Sequence, residues 1–406
     1  MNLFREIPPT AGLPIYTREL ALALRKRNPR GSLEEEFKNY LGVPYAAVTY
    51  SGTAAFYLIL EALKTLSPKK TLIIPSFICP LIPLAVKRAG LKVVVCDINR
   101  DNFNFEAGQL RELCSRHRND LLAIVPVHLA GIPADIATLQ KIARENRAFI
   151  IEDCAQSLGA LYQGQKTGTR GDFGFFSLCR GKGLTIYEGG VLVCKPEFIP
   201  AVSAAIKYFA KDAHFPESLK VLELFGYWIF YRPLLFWFAF RLPQIFWEIQ
   251  GRTEKAFIEY FTADFPLHEV SGIRKRLGQA MFPRLETAVA KQRLLASAYI
   301  AGLKDAAGIK LITEAAGDSS NYPYLTLLFN ESAKRDQALH IFKDSGLGVS
   351  RIYLAAITDY DYLKSIVGDQ PCPNARYIAR NHLSLTTSTF LKPEELSLVI
   401  EKIKKI

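Results

Sequence analysis

Short runs of Ile, Val and Leu recur along the first half of the chain, separated by stretches in which apolar residues return every three or four positions. Four runs, at 71–75, 92–97, 121–127 and 148–153, lack the polar alternation of a strand with one wet face. Strands that are apolar on both faces belong to a parallel sheet covered by helices on each side, and the amphipathic stretches between them supply those helices. The pattern predicts an α/β domain whose ligands gather at the carboxyl ends of the strands. The residues that stand there are Ser76, Asp97, His128 and Asp153. Later the pattern changes to helices at 281–301, 333–344 and 393–406 with a strand at 322–329, which reads as a smaller α+β domain.

The segment 221–247 fits neither half. It holds all three tryptophans and many of the phenylalanines. A spanning helix needs about 20 predominantly apolar residues, and Arg232, Pro233, Arg241 and Pro243 cut this run into shorter pieces. It reads as an insertion, dividing the chain into a large domain (1–215), an aromatic-rich insertion (216–265), and a linking helix with the small domain (266–406). Two roles stay open for it. Large aromatics are at home against the protein's own domain or a second subunit; equally, such a segment lies in the headgroup layer of an anionic membrane, with Lys220, Arg252 and Lys255 reaching lipid.

Composition narrows the partners. A chain of 406 residues with 49% apolar content buries a large core, and its net charge of +12 favours phosphorylated or otherwise acidic ligands. No nucleic-acid-binding motif accompanies that charge, so nucleic acid is not expected. The seven cysteines include no CxxC pair, which reads as reduced thiols with neither zinc nor disulfides. The opening MNLFREIPPTAG lacks the layout of a secretory signal, and a cytoplasmic protein is expected, with peripheral contact at the inner membrane surface through 221–247 as the variant.

Three stretches carry candidate chemistry. Ser51-Gly52-Thr53-Ala54-Ala55 opens a helix predicted to reach Thr65, where free N–H groups and the Ser51 and Thr53 hydroxyls form either a phosphate seat or a plain helix cap. Asp153 ends a buried strand, just before Gln156. A buried carboxylate needs a partner, and a protonated pyridine nitrogen and the amides of a following helix both qualify. Lys182 stands between Gly181 and Gly183 after Ser177, as a partly desolvated nucleophile or a solvated loop lysine.

Together these elements resemble the DegT/DnrJ/StrS type of nucleotide-sugar aminotransferases. The resemblance runs from Tyr40-Leu41-Gly42-Val43 through Val127-His128-Leu129-Ala130-Gly131, Glu152 to Ala160, Ser177 to Lys182 and Glu188-Gly189-Gly190, and ends at Gly348-Val349-Ser350-Arg351-Ile352-Tyr353. It implies the aspartate-aminotransferase fold (fold type I), with a mostly parallel sheet in the large domain, working as a homodimer with pyridoxal 5'-phosphate. It further implies Lys182 as the Schiff-base lysine, Asp153 as partner of the pyridinium nitrogen, Gln156 beside the phenolic oxygen, and Gly52, Thr53 and Ser177 at the phosphate. The activity implied is transfer of an amino group from glutamate or glutamine to a keto sugar, nucleotide-linked, in polysaccharide or glycoconjugate biosynthesis.

The chain departs from the family at several positions. The aromatic ring usually stacked on the cofactor is Cys79 here, and Phe77, two residues earlier and on the same side of an extended segment, is the candidate replacement. Cys179 and Thr386 replace a histidine or aromatic and a proline. The partner-subunit asparagine that often meets the phosphate is missing from 271–280, where Arg274 or Arg276 is either its substitute or surface charge. Arg351 and Tyr353 fall where relatives approach substrate, or simply pack. A dehydratase of the same fold carries histidine in place of the lysine, which Lys182 argues against. A catalytically silent scaffold at a membrane surface is the third reading.

Overall fold

The structure is a computed structural model, which describes residues 4–25, 31–209, 214–250 and 260–406. The seven strands of the large sheet are β1 (Ala46–Thr49), β2 (Thr71–Pro75), β3 (Lys92–Cys96), β4 (Leu121–Ile124), β5 (Phe149–Asp153), β8 (Phe173–Ser177) and β9 (Gly190–Cys194). Between β5 and β8 a two-stranded ribbon, β6 (Leu161–Tyr162) and β7 (Gln165–Lys166), projects from the sheet. The order is β1-β9-β8-β5-β4-β2-β3, and only β9 runs against its neighbours. Helices Leu81–Arg88, Ala107–Arg116 and Ile136–Asn146 connect the parallel strands. Every residue of β2, β4 and β9 is buried, as continuous apolar runs in a doubly covered sheet must be.

The expected α/β class and mostly parallel sheet are present. The third predicted strand is shorter than the apolar run because Pro126 has no N–H for a ladder bond. Its carbonyl still accepts from Asp153 N–H at 2.9 Å, which keeps the chain beside β5. Chain order reverses at β2: β3 lies on one side of it and β4 on the other. The carboxyl ends of β2, β4, β5 and β8 therefore open onto a crevice.

The small domain is an antiparallel sheet of β10 (Ile309–Ile312), β11 (Tyr324–Phe329) and β12 (His382–Thr386). The helices Leu285–Leu303, Ser332–Phe342 and Pro393–Lys404 cover it around Tyr299, Leu325, Leu327, Phe329, Leu385 and Val399. Ile7, near the start of the chain, shares that core. The helix predicted from 281 begins as a 3-10 turn because Pro283 sits in it, and the strand predicted from 322 begins after Pro323, which cannot donate to a ladder.

The aromatic segment forms a helix at His214–Phe230, a short helix at Pro233–Phe236, a π-turn at Trp237–Arg241 and a helix at Leu242–Ile249. No described helix is long and apolar enough to cross a membrane. Its inner face packs on the protein itself. Arg232 donates to the carbonyl of Ile15, Glu6 N–H to the carbonyl of Pro233, and Arg241 pairs with Asp344 at 2.6 Å. The predicted lipid contacts Arg252 and Lys255 lie outside the described residues, and Lys220 pairs with Glu188 and Glu223.

Arg274, offered above as a phosphate ligand or surface charge, is neither. Its guanidinium has no exposed surface and is consumed by the Glu217 carboxylate and the carbonyls of Ile186 and Glu188. Arg276 donates to the carbonyl of Ala23. Arg274→Ala is expected to cost about 3–5 kcal/mol, because it leaves Glu217 buried without its counter-ion. The midpoint of urea unfolding reads this loss.

Candidate active site

Strand ends bring four predicted residues to one edge, and one of them, Asp153, lies in the field of the Lys182 charge. Ser76 donates to Asp97 at 2.9 Å, and the Asp97 carboxylate accepts from the N–H groups of Asn374 and Ala375, capping a small-domain helix. His128 takes an N–H from Ala134 on Nδ1 at 3.0 Å, so its proton sits on Nε2 and goes to Glu152, also at 3.0 Å. These three are fully occupied in joining segments. Glu152, His128 and Cys154 bring their donor atoms close together, yet both imidazole nitrogens are already bonded and the Glu152 oxygens accept from the amides of Gly168, Arg170 and Gly171. Burial pushes the Glu152 carboxyl up, but the His128 bond and those amides outweigh it and hold it below the usual carboxylate range.

Asp153 is different. Only 4% exposed, it accepts one described hydrogen bond, from Ala155 N–H at 2.9 Å. Burial lifts its pKa to about 6, against the downward pull of that amide and of the Lys182 charge. The carboxylate thus lacks a compensating cation of full strength, which is the condition a protonated ring nitrogen satisfies.

Lys182 lines a cleft together with Thr10, Gln156, Ser177, Asn321 and Tyr324. Gln156 is fixed from three directions. Its Oε1 accepts from Ala130 N–H at 2.9 Å and Tyr324 Oη at 2.5 Å, and its Nε2 donates to Tyr353 Oη at 3.2 Å. Tyr353 therefore reaches the site, whereas Arg351 donates to the carbonyls of Leu354 and Ala379 within the small domain.

The two candidates for the missing ring separate. Phe77 is 2% exposed, with its ring edge-on to Tyr353 and His382 at centroid distances of 5.4 and 5.6 Å. Cys79 is half-buried and lies in the field of Asp153 and Lys182; burial pushes its thiol up to about 11, keeping it neutral. Of the two, Cys79 has its thiol in the field of Asp153 and Lys182, while Phe77 packs against Tyr353 and His382.

Beside Ser177, Ser51 caps the helix Gly52–Leu66 by accepting from Ala54 N–H at 3.0 Å. The N–H groups of Gly52 and Thr53 belong to the first turn, beyond reach of any helical carbonyl. A Cβ on Gly52 would stand 3.2 Å from the Ser177 Cβ, so glycine lets this helix end approach the end of β8 closely. A phosphate fits that donor set. The residues present therefore suit pyridoxal phosphate at both its charged ends.

Glu152, Tyr324, Asn321 and Thr10 were not singled out from the sequence. Tyr324 had a readable signal: a polar-tipped ring in a mostly apolar strand needs a hydrogen-bond partner.

The Asp153 carboxyl gives a pH prediction. Its folded value lies above its ordinary 3.8, so its contribution is fully present below about pH 4 and is lost as pH rises through 6. In cofactor-free protein, Asp153→Asn is expected to be more stable than wild type by on the order of 2–3 kcal/mol at pH 7 and equal to it near pH 4. Parallel urea titrations at the two pH values test the sign.

Comparison with known proteins agrees with this geometry. Residues 25–221 and 262–404 match the model of the DegT/DnrJ/EryC1/StrS aminotransferase family, and the gap between the two blocks falls on the aromatic insertion. An uncharacterised protein of Methanocaldococcus jannaschii is 25% identical over 92% of this chain and 88% of its own. GDP-perosamine synthase of Caulobacter vibrioides is 33% identical over 168 residues, 41% of this chain and 44% of the synthase. A DegT DnrJ EryC1 StrS aminotransferase from Brucella abortus has the same fold, with a TM-score of 0.74 at 20% identity over 96% of this chain and 95% of that one. The chain belongs to the DegT/DnrJ/EryC1/StrS aminotransferase family.

Proposed function

We propose that this protein transfers an amino group from glutamate or glutamine to a keto sugar carried on a nucleotide, using pyridoxal 5'-phosphate held between Asp153, Gln156, Lys182 and the Gly52-Thr53 helix end with Ser177. The observation that carries the reading is a buried, under-compensated Asp153 in the field of the Lys182 charge, with Lys182, Gln156 and Ser177 lining one cleft. Bound there, the cofactor supplies an electron sink for the carbon that loses or gains the amino group. Asp153 holds a proton on the ring nitrogen, which keeps that sink effective. Lys182 would hold the cofactor, and its amine would carry the proton that the transfer moves. Gln156, locked by Tyr324, Tyr353 and Ala130, would hold the phenolic oxygen. Cys79 would offer a neutral thiol in place of the family's aromatic ring. In this scheme 1–215 hold the cofactor, 266–406 close over the substrate, and the working unit is a homodimer. The sugar reading draws on the relatives named as sugar aminotransferases.

Wild-type protein loaded with pyridoxal phosphate is expected to be yellow and to bleach on adding glutamate. Lys182→Ala should lose glutamate turnover by at least about 1,000-fold, since both binding and proton transfer go with the amine. Bleaching at wild-type rates by Lys182→Ala contradicts the assignment.

The outer face of the insertion adds a location. Phe215, Leu222, Phe246 and Ile249 are 75, 67, 54 and 81% exposed, and Leu219, Phe230, Leu234, Phe238 and Leu242 continue the same apolar surface. We propose that this face rests in the headgroup layer of an anionic membrane on the cytoplasmic side, with the net charge of +12 assisting. Wild type is expected to float with phosphatidylglycerol-containing vesicles and Leu222→Glu/Phe246→Glu to stay behind. If the face is instead buried by a second copy, the double variant changes the sedimentation mass and neither protein floats.

A further inference from the structure

The loop that carries Lys182 is gripped by two segments that lie outside the family-matched stretches. Those stretches are 25–221 and 262–404; Thr10 precedes the first, and Tyr227 and Tyr231 fall between them. Tyr227 stands on the helix His214–Phe230 and Tyr231 just past its last residue, where Tyr231 N–H still donates to the Tyr227 carbonyl at 2.8 Å, so their rings share a face. They stack at a centroid distance of 4.5 Å with planes 24° apart.

From the two stacked rings, hydrogen bonds run back to the lysine loop. Gly181 N–H donates to Tyr227 Oη at 3.4 Å. Tyr231 Oη donates to the Thr10 carbonyl at 3.3 Å, and Thr10 Oγ1 donates to the Gly181 carbonyl at 2.8 Å. Both peptide groups of Gly181 are thereby anchored, and the second is the one that joins it to Lys182. Gly12 makes the approach possible, since a Cβ there would stand 2.7 Å from Tyr231 Oη and 2.9 Å from the Gly181 Cα.

Such bracing has a physical purpose. Lys182 lies between two glycines, which give the loop no side chain of its own to pack. A lysine amine sits at the end of four methylenes, so a small error in the backbone becomes a large one at the nitrogen, and misplacement of about 1 Å costs on the order of 100-fold in rate.

We propose that Tyr227 and Tyr231 are positioning residues: through Thr10, the inserted helix fixes the Gly181–Lys182 peptide and thereby aims the Lys182 amine into the cleft. The inference rests on Lys182 being the reactive lysine of the aminotransferase reading. It makes the insertion part of the site's own frame, supplied by this chain beyond what the family pattern provides.

The test compares Tyr227→Phe, Tyr231→Phe and Thr10→Val with wild type, and includes Thr10→Ser as the conservative rescue. Hydrogen exchange of the 178–187 segment is measured by mass spectrometry on cofactor-free protein. Each of the first three variants is expected to exchange about fivefold faster in that segment alone, the effect of one neutral hydrogen bond, with Thr10→Ser close to wild type. In the cofactor-loaded enzyme kcat should fall about tenfold while KM stays within about twofold. Unchanged exchange, exchange that rises across the whole protein, or faster local exchange with an unchanged kcat overturns the proposal. Local acceleration in a protein that transaminates nothing upholds the clamp and removes the aminotransferase reading instead.

Discussion

A carboxylate sealed from water organises the catalytic edge of the sheet. Glu152 at the end of β5 accepts from His128 Nε2 and from the amides of Gly168, Arg170 and Gly171. It joins the loop after β4 to the turn that leads into β8. Four donors on one buried carboxylate form a closed network, the kind in which losing any member leaves a charge uncompensated. Side chains alternate along a strand, so pinning Glu152 to one face delivers Asp153 to the other. The position of Asp153 opposite Lys182 thus depends on a residue that never touches the cleft.

The two adjacent carboxylates are held in opposite electrostatic states. Glu152 is surrounded by donors and pulled below its ordinary pKa; Asp153 has one amide and distant charges, and burial carries it to about 6. A structural carboxylate is satisfied by the protein, whereas one meant for a ligand is left short of partners. His382, lowered to about 3 by burial with Arg351 adding to the effect, belongs to the first kind. Its neutral ring accepts the Ile352 N–H at 3.2 Å and so helps to hold Tyr353 where it meets Gln156.

Much of the fold was legible because a doubly covered sheet writes its strands as unbroken apolar runs, as in 71–75 and 148–153. Strand limits were lost at Pro126 and Pro323, where a missing N–H ends the ladder although hydrophobicity continues. Of the strand-end polar residues, Ser76, Asp97 and His128 could not be told from Asp153 in one dimension, because their partners at 374–375, 134 and 152 are set by tertiary folding. Arg274 misled for the same reason: its partner Glu217 lies 57 residues away. Phe77 and Cys79 share one side only if the chain is extended, and after β2 it bends instead. The insertion was visible as composition, but the direction in which it faces was not. Tyr227 and Tyr231 turn inward onto the lysine loop and Leu224 joins the core, while Phe215, Leu222, Phe246 and Ile249 stay outside.

The account stands or falls on where the cofactor is joined to the chain. Borohydride reduction of the pyridoxal-phosphate-loaded protein, followed by peptide mass spectrometry, reads that point directly. The predicted result is a single phosphopyridoxyl modification on the peptide containing Lys182, lost in Lys182→Ala. Modification spread over surface lysines, or a specific modification elsewhere, contradicts the site assembled around Asp153.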